Sequence, residues 1–486
     1  MQNWKYTRLF PIQAPHVPSP SEFEELMELL SRYRPSNSRV SAGYTYFGQF
    51  VDHDLTFALE NAVAPSIEQI NRNGPVDVDT LTLARKPALD LDCMYGGGPA
   101  DSRVMFERRT GKFVLGDTQF CPDRDFRRTA DFQALIADQR NDENLLVAQI
   151  QVLFMNLHNR IVQDLWDNGV RDADYLYRTA RREVIKIYQY LCIHDLLKAL
   201  VPARLYQWII LRDDGRLSVP DQLDPTMALE FSDAAFRLHS MVRDRYRLND
   251  IPQSISLQDL FERTGNGAAH ANRKPPLLRN EDEVDWRHFF EFADYPGEPR
   301  NQVAMQISFV VDDALRNLDL PGYRRHRNLL QANLLRSIER GLMTGQQVCD
   351  ALKAKFPLLA EKVQLQPLQG ETQYILSQLS RNNSVRRNTP LWLYAMLEAG
   401  AGKLGTLGGW IVADTLRTAA LSADVRLRNI ADPRPGDIYG PILAMTSESR
   451  PVRIEDVIAY AYDYGFETKR RSACQTSMKA GPAQER

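Results

Sequence analysis

Between Asn141 and Gly169 the sequence commits to one long amphipathic helix, and the rest of the chain has to be built to cover it. Leu146, Ile150, Leu153, Leu157, Ile161 and Leu165 recur at the three-to-four spacing of a buried helical face. Phe154 and Val162 widen that face, and Gly169 supplies the stop. A second helix follows from about Asp172 to Ala199, with Tyr, Ile and Leu on its inner side. Further helical patterns fall near 233–245, 301–316, 327–339, 344–354, 371–380, 389–399 and 407–421. Strand signals are confined to Lys112–Leu115 and Val219, and no internal repeat is present at any fixed period. The expected fold class is mainly α: a single large helical domain with long loops and very little β.

Ahead of the long helix the chain is less regular. Residues 1–20 are rich in proline and aromatics and read as an extended arm on the surface. Ser19-Pro20-Ser21-Glu22 then opens a short helix through Leu30, with Ser19 or Ser21 as its cap. After Pro35-Ser36-Asn37-Ser38 another helix is expected from about Tyr44 to Leu59. Residues 60–130 are high in Gly, Pro and Asp and include Tyr95-Gly96-Gly97-Gly98-Pro99, which reads as a turn. Loops of that length are more often functional than idle. The organisation expected is an arm and short helix over 1–40, a catalytic domain over 41–470 and a polar tail over 471–486.

Charge and cysteine usage exclude some classes of function. Sixty basic residues against sixty-two acidic ones leave a formal charge of -2, so nothing global favours nucleic acid or an anionic membrane as partner. The N-terminus lacks the apolar run of a signal peptide, and no stretch approaches the length of an uninterrupted apolar span. A cytoplasmic protein, or one secreted without a cleavable leader, is expected. Cys93, Cys121, Cys192, Cys349 and Cys474 are odd in number and lack CxxC spacing, which argues against a disulfide scaffold and a zinc site and fits a reducing compartment.

Four stretches carry residues suited to chemistry. Phe47-Gly48-Gln49-Phe50-Val51-Asp52-His53-Asp54-Leu55-Thr56 boxes one imidazole between two carboxylates amid apolar neighbours. On a helix those three side chains fan out roughly 100° apart and address three different partners. Ile136-Ala137-Asp138-Gln139-Arg140-Asn141-Asp142-Glu143-Asn144 places Arg140 and Glu143 one turn apart, although a helix start alone can account for its acidic residues. Phe231 to Val242 sets His239 within an apolar helix two residues after Arg237, where a lone histidine is usually a satisfied core residue. Asn333-Leu334-Leu335-Arg336-Ser337-Ile338-Glu339-Arg340-Gly341-Leu342 is the fourth.

In that order, over roughly residues 40 to 420, the four stretches resemble the animal-type haem peroxidase superfamily in its bacterial branch. The resemblance implies a haem peroxidase-like domain that reduces hydrogen peroxide and oxidises a small organic donor, a halide or thiocyanate, in keeping with a response to oxidative stress. It makes His53 the distal histidine, Gln49 the pocket amide and Arg140 the distal arginine, the last through a match that continues to Leu157-His158-Asn159-Arg160. It makes His239 the proximal iron ligand, Asn333 the acceptor for that imidazole and Arg336 the partner of a haem propionate, with Arg237 also beside the cofactor. The chemistry suits these residue types. A base has to carry a proton from one peroxide oxygen to the other, and a guanidinium has to face the charge that develops. A neutral imidazole holds iron best when its other nitrogen is oriented by a hydrogen bond.

The same resemblance implies haem b esterified through Asp52 and Glu143. Asn144 replaces the methionine that forms a third link in the chlorinating leukocyte enzyme, which disfavours chloride as a donor. It also implies a calcium site of Asp54, Asp90, Asp92 and the Ala88 carbonyl, all hard oxygen donors. Lys86 stands where the family has a threonine, and its ammonium can take the cation's place. The Arg237-x-His239 spacing is that of the fatty-acid dioxygenase branch, yet Phe236 occupies the position of that branch's radical tyrosine. A haem-dependent fatty-acid oxygenase and a non-catalytic haem-binding protein are the alternatives. His158, His194, His270, His288 and His326 lack metal-like pairing and read as structural or surface residues.

Overall fold

The computed structural model describes residues 3–10, 15–58, 65–265, 267, 278–292, 300–316, 328–432, 438–446 and 450–462. His270, His326, Cys474 and the tail expected over 471–486 lie outside them. The chain is mainly helical and its strands are short, as the periodicity predicts. It forms two compact units, each assembled from three separated stretches. Met1–Asp90, Gln189–Asp244 and Val303–Arg434 make the first; Leu91–Tyr188, Arg245–Gln302 and Pro435–Arg486 make the second.

In the first unit the arm is not merely laid on a surface. Trp4–Thr7 is the central strand of a three-stranded sheet, antiparallel to Thr82–Leu83 and parallel to Thr226–Ala228. Its partners lie far away in sequence, so no local pattern could announce it. The helix Pro20–Ser31 begins with a capping box: Ser19 Oγ accepts from Glu22 N at 3.3 Å while Glu22 Oε2 accepts from Ser19 N at 2.8 Å. The helix expected over 301–316 is largely absent. Val303–Met305 pairs instead with the strand Asn37–Ser41, and only Asp313–Arg316 is helical. The Arg243 guanidinium donates to Val303 O and Asn37 Oδ1, so a distant side chain helps hold both strands. Val219 is exposed and belongs to no strand.

Five helices of this unit fall where their periodicity puts them: Leu329–Glu339, Gly345–Lys355, Gly370–Ser377, Leu391–Glu398 and Thr406–Ser422. The helix carrying Asp52-His53-Asp54 runs from Gly43 to Leu55 and stops short of the expected Leu59. Thr56 turns extended there, and both its N–H and its Oγ1 donate to the Asp52 carbonyl, at 2.8 and 2.9 Å.

The second unit is organised by the helix Leu145–Asp167, whose apolar face is buried along nearly its whole length. By length and composition it is the one helix among the described residues that could cross a membrane, but most of it is enclosed by protein. Asn144 caps it by accepting from Leu146 N and Val147 N, and Gly169 turns the chain at φ 92° just beyond its end. Ile454–Tyr462 packs along it, and Leu115–Gly116 pairs with Asp125–Phe126 beside its start. The second predicted helix begins at Ala173 and continues past Leu191 as a π turn, Cys192–Leu196. Cys121 is disulfide-bonded, which the cysteine spacing did not lead one to expect, whereas Cys93, Cys192 and Cys349 are buried free thiols.

Candidate functional site

His239 does not sit within a helix. The chain from Phe231 to Ala235 forms a π turn, passes through Phe236–Leu238 without regular structure, and enters a short 3-10 turn that begins at His239. Arg237 Nε closes the π turn by donating to Ser232 O at 2.9 Å. Trp392 Nε1 donates to Arg237 O at 3.4 Å, and Thr45 Oγ1 donates to Met241 O at 3.5 Å, so the segment is tied on both sides of the histidine. Its Nδ1 lies 3.2 Å from Nδ2 of Asn333 on the helix Leu329–Glu339. Burial, reinforced by the nearby Arg237 charge, lowers the imidazole pKa to about 3, so the ring is neutral.

The amide of Asn333 meets Nδ1 as a donor, the reverse of the acceptor role expected for it. For Nε2 to offer its lone pair to iron, the ring proton has to be on Nδ1. A half-turn of the amide then presents Oδ1 at the same place and leaves the carbon skeleton unmoved.

Beside this pair three arginines converge on one buried carboxylate. Asp233 Oδ1 is 3.5 Å from Arg237 Nη2 and 3.8 Å from Arg336 Nε, and its Oδ2 is 3.8 Å from Arg340 Nε. Glu339 is also within electrostatic reach, and burial raises its pKa. Three guanidiniums thus face two carboxyl groups, Asp233 and Glu339. Arg340 Nε is buried without a hydrogen-bond partner, and burial lowers the Arg336 pKa. Such a cluster is short of an anion. Asp233 and Arg340 were not singled out from the sequence; the four-residue spacings Asp233/Arg237 and Arg336/Arg340 are the signal that could have found them. Tyr6 of the central strand belongs to the same neighbourhood. Burial and then Asp233 push its phenol well above the usual range, while Arg340 and Arg237 pull the other way, and Asp52 also acts on it.

The helix Gly43–Leu55 brings Gln49, Asp52, His53 and Asp54 into this unit, with His53 and Asp54 buried and Gln49 and Asp52 partly accessible. It passes the π turn at Gly48, where an added Cβ would meet the Phe236 ring at 3.9 Å. Phe236 in turn stacks on Phe231, with ring centroids 4.7 Å apart. Lys86, the foreseen competitor for a cation, is engaged elsewhere: its Nζ pairs with Asp424 at 3.0 Å. Ala88 and Asp90 are buried in the same unit, and the Ala88 carbonyl accepts from Asp90 N at 3.0 Å.

Arg140, Glu143 and Asp92 belong to the second unit. Arg140 lies in a 3-10 turn, Gln139–Asp142, separate from the long helix. Its guanidinium is held by Asp138, Nε at 3.1 Å and Nη2 at 2.7 Å, while the Arg140 N–H donates to Asp138 Oδ1 at 3.0 Å. Asp138 therefore fixes both backbone and side chain of Arg140, a role that the local sequence left unassigned. Glu143 N donates to Arg140 O at 3.2 Å as the turn closes. Asp92 has Arg181 at 3.7 Å. Asp142 is held by Arg128, which also pairs with Asp125.

The residues of the first unit fit a haem. They offer a buried neutral imidazole on a braced segment and an arginine cluster that lacks anionic charge, with an orphaned Nε where a propionate would be welcome. The family model for animal haem peroxidases matches residues 84–279. No curated protein matches the chain in sequence. Among solved structures, peroxidase A from Dictyostelium discoideum is similar at 12% identity, over 96% of this chain and 94% of that one, with a TM-score of 0.63. A variant of the fatty acid alpha-dioxygenase of Oryza sativa, solved with palmitic acid, is similar at 15% identity over 95% and 82%, with a TM-score of 0.68. The Arabidopsis thaliana fatty acid alpha-dioxygenase gives 14% identity over 99% and 82%, with a TM-score of 0.56. The chain thus resembles the animal haem peroxidase family over residues 84–279 and shares the fold of these solved structures over nearly its whole length.

Proposed function

We propose that this protein is a haem-dependent peroxidase that reduces hydrogen peroxide and oxidises small organic donors, bromide, iodide or thiocyanate. The observation that carries this reading is the His239–Asn333 pair beside the anion-short arginines around Asp233. Bound haem supplies the iron at which the peroxide O–O bond is broken and the oxidising equivalents are kept. His239 would hold it while Asn333 fixes the ring, and Arg336, Arg237 and Arg340 would receive the propionate charge. His53 takes the proton from one peroxide oxygen and returns it to the other, a role open to an imidazole within reach of both oxygens. Arg140, oriented by Asp138, is the fixed cation for the charge that develops. Phe236 has no O–H to lose, which speaks against lipid oxygenation through a radical at that position. Asp52 and Glu143 are the carboxylates proposed for covalent attachment.

The test is peroxide consumption by haem-loaded protein with a phenolic or iodide donor. We expect His53→Ala to keep its haem but to lose roughly two or more orders of magnitude in rate, the scale of acid–base catalysis. His239→Ala should show an altered Soret band and spin state or lose the haem. Wild-type rates in His53→Ala would remove that residue from the mechanism, and absence of a Soret band in loaded wild-type protein would sink the proposal. Complete release of haem by acid–acetone after peroxide turnover would show Asp52 and Glu143 to be unesterified.

A further inference from the structure

Two stretches that the peroxide chemistry leaves unused meet in the core of the second unit. Tyr95, which opens the glycine turn, and His158, on the long helix, are both fully enclosed. Tyr95 Oη lies 3.1 Å from His158 Nδ1, and His158 Nε2 lies 3.1 Å from the Gly111 carbonyl. A carbonyl oxygen can only accept, so Nε2 carries the ring proton, Nδ1 keeps its lone pair, and Tyr95 donates to it. The tautomer is fixed by the fold. Burial lowers the His158 pKa to about 4, which keeps the ring neutral before any reaction.

The surroundings are aromatic and lead outward. Tyr177 stands edge-on to Tyr95 with ring centroids 6.1 Å apart, and its ring is 5.8 Å from that of His158. Unlike Tyr95, it is partly accessible. Room for it is made by two glycines at positive φ: a Cβ on Gly98 would come within 2.7 Å of the Tyr177 hydroxyl, and one on Gly111 within 2.7 Å of its Cβ. The glycine turn is therefore shaped around this tyrosine. Arg181 lies over the Tyr95 ring at 5.3 Å, and a cation there disfavours a charged ring radical while leaving a neutral one admissible.

We infer that Tyr95 and His158 form a redox site in which Tyr95 yields an electron to a one-electron oxidant and its phenolic proton to His158, with Tyr177 as the relay toward solvent. In this step the Tyr95 O–H bond breaks and an Nδ1–H bond forms. The oxidant is reduced by one electron, and the products are a neutral tyrosyl radical and an imidazolium whose Nε2–H still donates to Gly111 O. The proton returns from His158 to the Tyr95 oxygen when Tyr177 supplies an electron and releases its own phenolic proton to solvent at its partly accessible face. That leaves a neutral Tyr177 radical, which an external donor reduces. A phenol in an apolar core resists losing an electron unless its proton can leave at the same moment, and His158 Nδ1 is the base placed for that. The oxidant rests on the proposed function: it is hydrogen peroxide acting through bound haem. The pair itself does not depend on that reading.

High-field electron paramagnetic resonance of the full chain tests it in two arms. In one, haem-loaded protein is freeze-quenched after hydrogen peroxide; in the other, the chain without added haem or peroxide is oxidised by flash-generated tris(bipyridine)ruthenium(III). The expected result in both is a tyrosyl signal with the lowered g1 of a strongly hydrogen-bonded radical. That component should vanish in Tyr95→Phe. In His158→Gln, whose amide oxygen can accept the hydrogen bond but not the proton, it should form more slowly and in lower yield. Tyr177→Phe should slow its appearance after the flash. Persistence of the component in Tyr95→Phe, or its absence from both arms of the wild type, would overturn the inference. Circular dichroism of the variants separates these outcomes from misfolding, and unaltered yield in a folded His158→Gln counts against proton transfer to that histidine. A signal after the flash but not after peroxide upholds the pair and counts against the peroxidase reading.

Discussion

Glu230 shows how far a single enclosed carboxyl can be displaced from its behaviour in water. It is buried and accepts from Leu9 N at 3.0 Å. Burial raises its pKa from 4.5 to about 7, against the opposing pull of backbone N–H groups and the Arg8 charge. The folded state thus holds this proton more tightly than the unfolded chain does. Its contribution to stability is fully present below pH 4.5 and is lost as pH rises through about 7. The change is on the order of 3 kcal/mol. Glu230→Gln imitates the protonated form, so its melting temperature should vary less across that window than that of the wild type. Thermal scans from acid to mildly alkaline buffer at constant ionic strength compare the two slopes, and equal slopes would remove Glu230 from the pH response. The same residue marks a limit of sequence reading. His53, His239 and Asn333 stand in recognisable local strings, whereas Glu230, Asp138 and Asp233 owe their importance to what encloses them or what they hold.

At the scale of elements, the arm strand Trp4–Thr7 invites a direct test. It separates Thr82–Leu83 from Thr226–Ala228, two strands that pair with it and not with each other. Beyond it, Arg8 donates to Gly341 O at 3.1 Å and also to Arg340 O, while Leu9 occupies the Glu230 carboxyl. Removing residues 1–10 would leave Thr226–Ala228 without a partner and Thr82–Leu83 with only the Ala58 bridge, a buried carboxyl without its Leu9 donor and the segment around Arg340 less restrained. We expect the truncated protein to melt well below the full chain and to retain haem less firmly, read by thermal unfolding and by the Soret-to-protein absorbance ratio. An unchanged melting temperature would mean that the arm is only a covering. The helices were legible because each carries its own period: Leu329–Glu339 and Thr406–Ser422 need no knowledge of their neighbours. The arm strand, the Val303–Met305 strand and the broken helix before His239 were not. Strand pairing across hundreds of residues is set by tertiary contacts, and a π turn has the same composition as the helix it interrupts.

For the molecule as a whole, the order of segments matters as much as the segments. Each unit is closed by stretches separated by tens to hundreds of residues, so its core cannot form until distant parts of the chain have met, and such closure is slow. A ligand bound by residues from all three stretches of one unit should then stabilise that unit as a body. In the first unit Asp52 and His53 come from the first stretch, His239 and Arg237 from the second, and Asn333, Arg336 and Arg340 from the third. Haem bound there at one hundred times its dissociation constant contributes about 2.7 kcal/mol to stability. For a chain of 486 residues that is roughly 2–3 °C in melting temperature, since the entropy of unfolding grows with length. The shift should grow with haem concentration and shrink in His239→Ala and Arg336→Ala, whose effects enter from two different stretches. Calorimetry of the three proteins with and without added haem measures it. If both variants gained as much as the wild type, the haem would be bound elsewhere, and the arginines around Asp233 would need another anion to account for them.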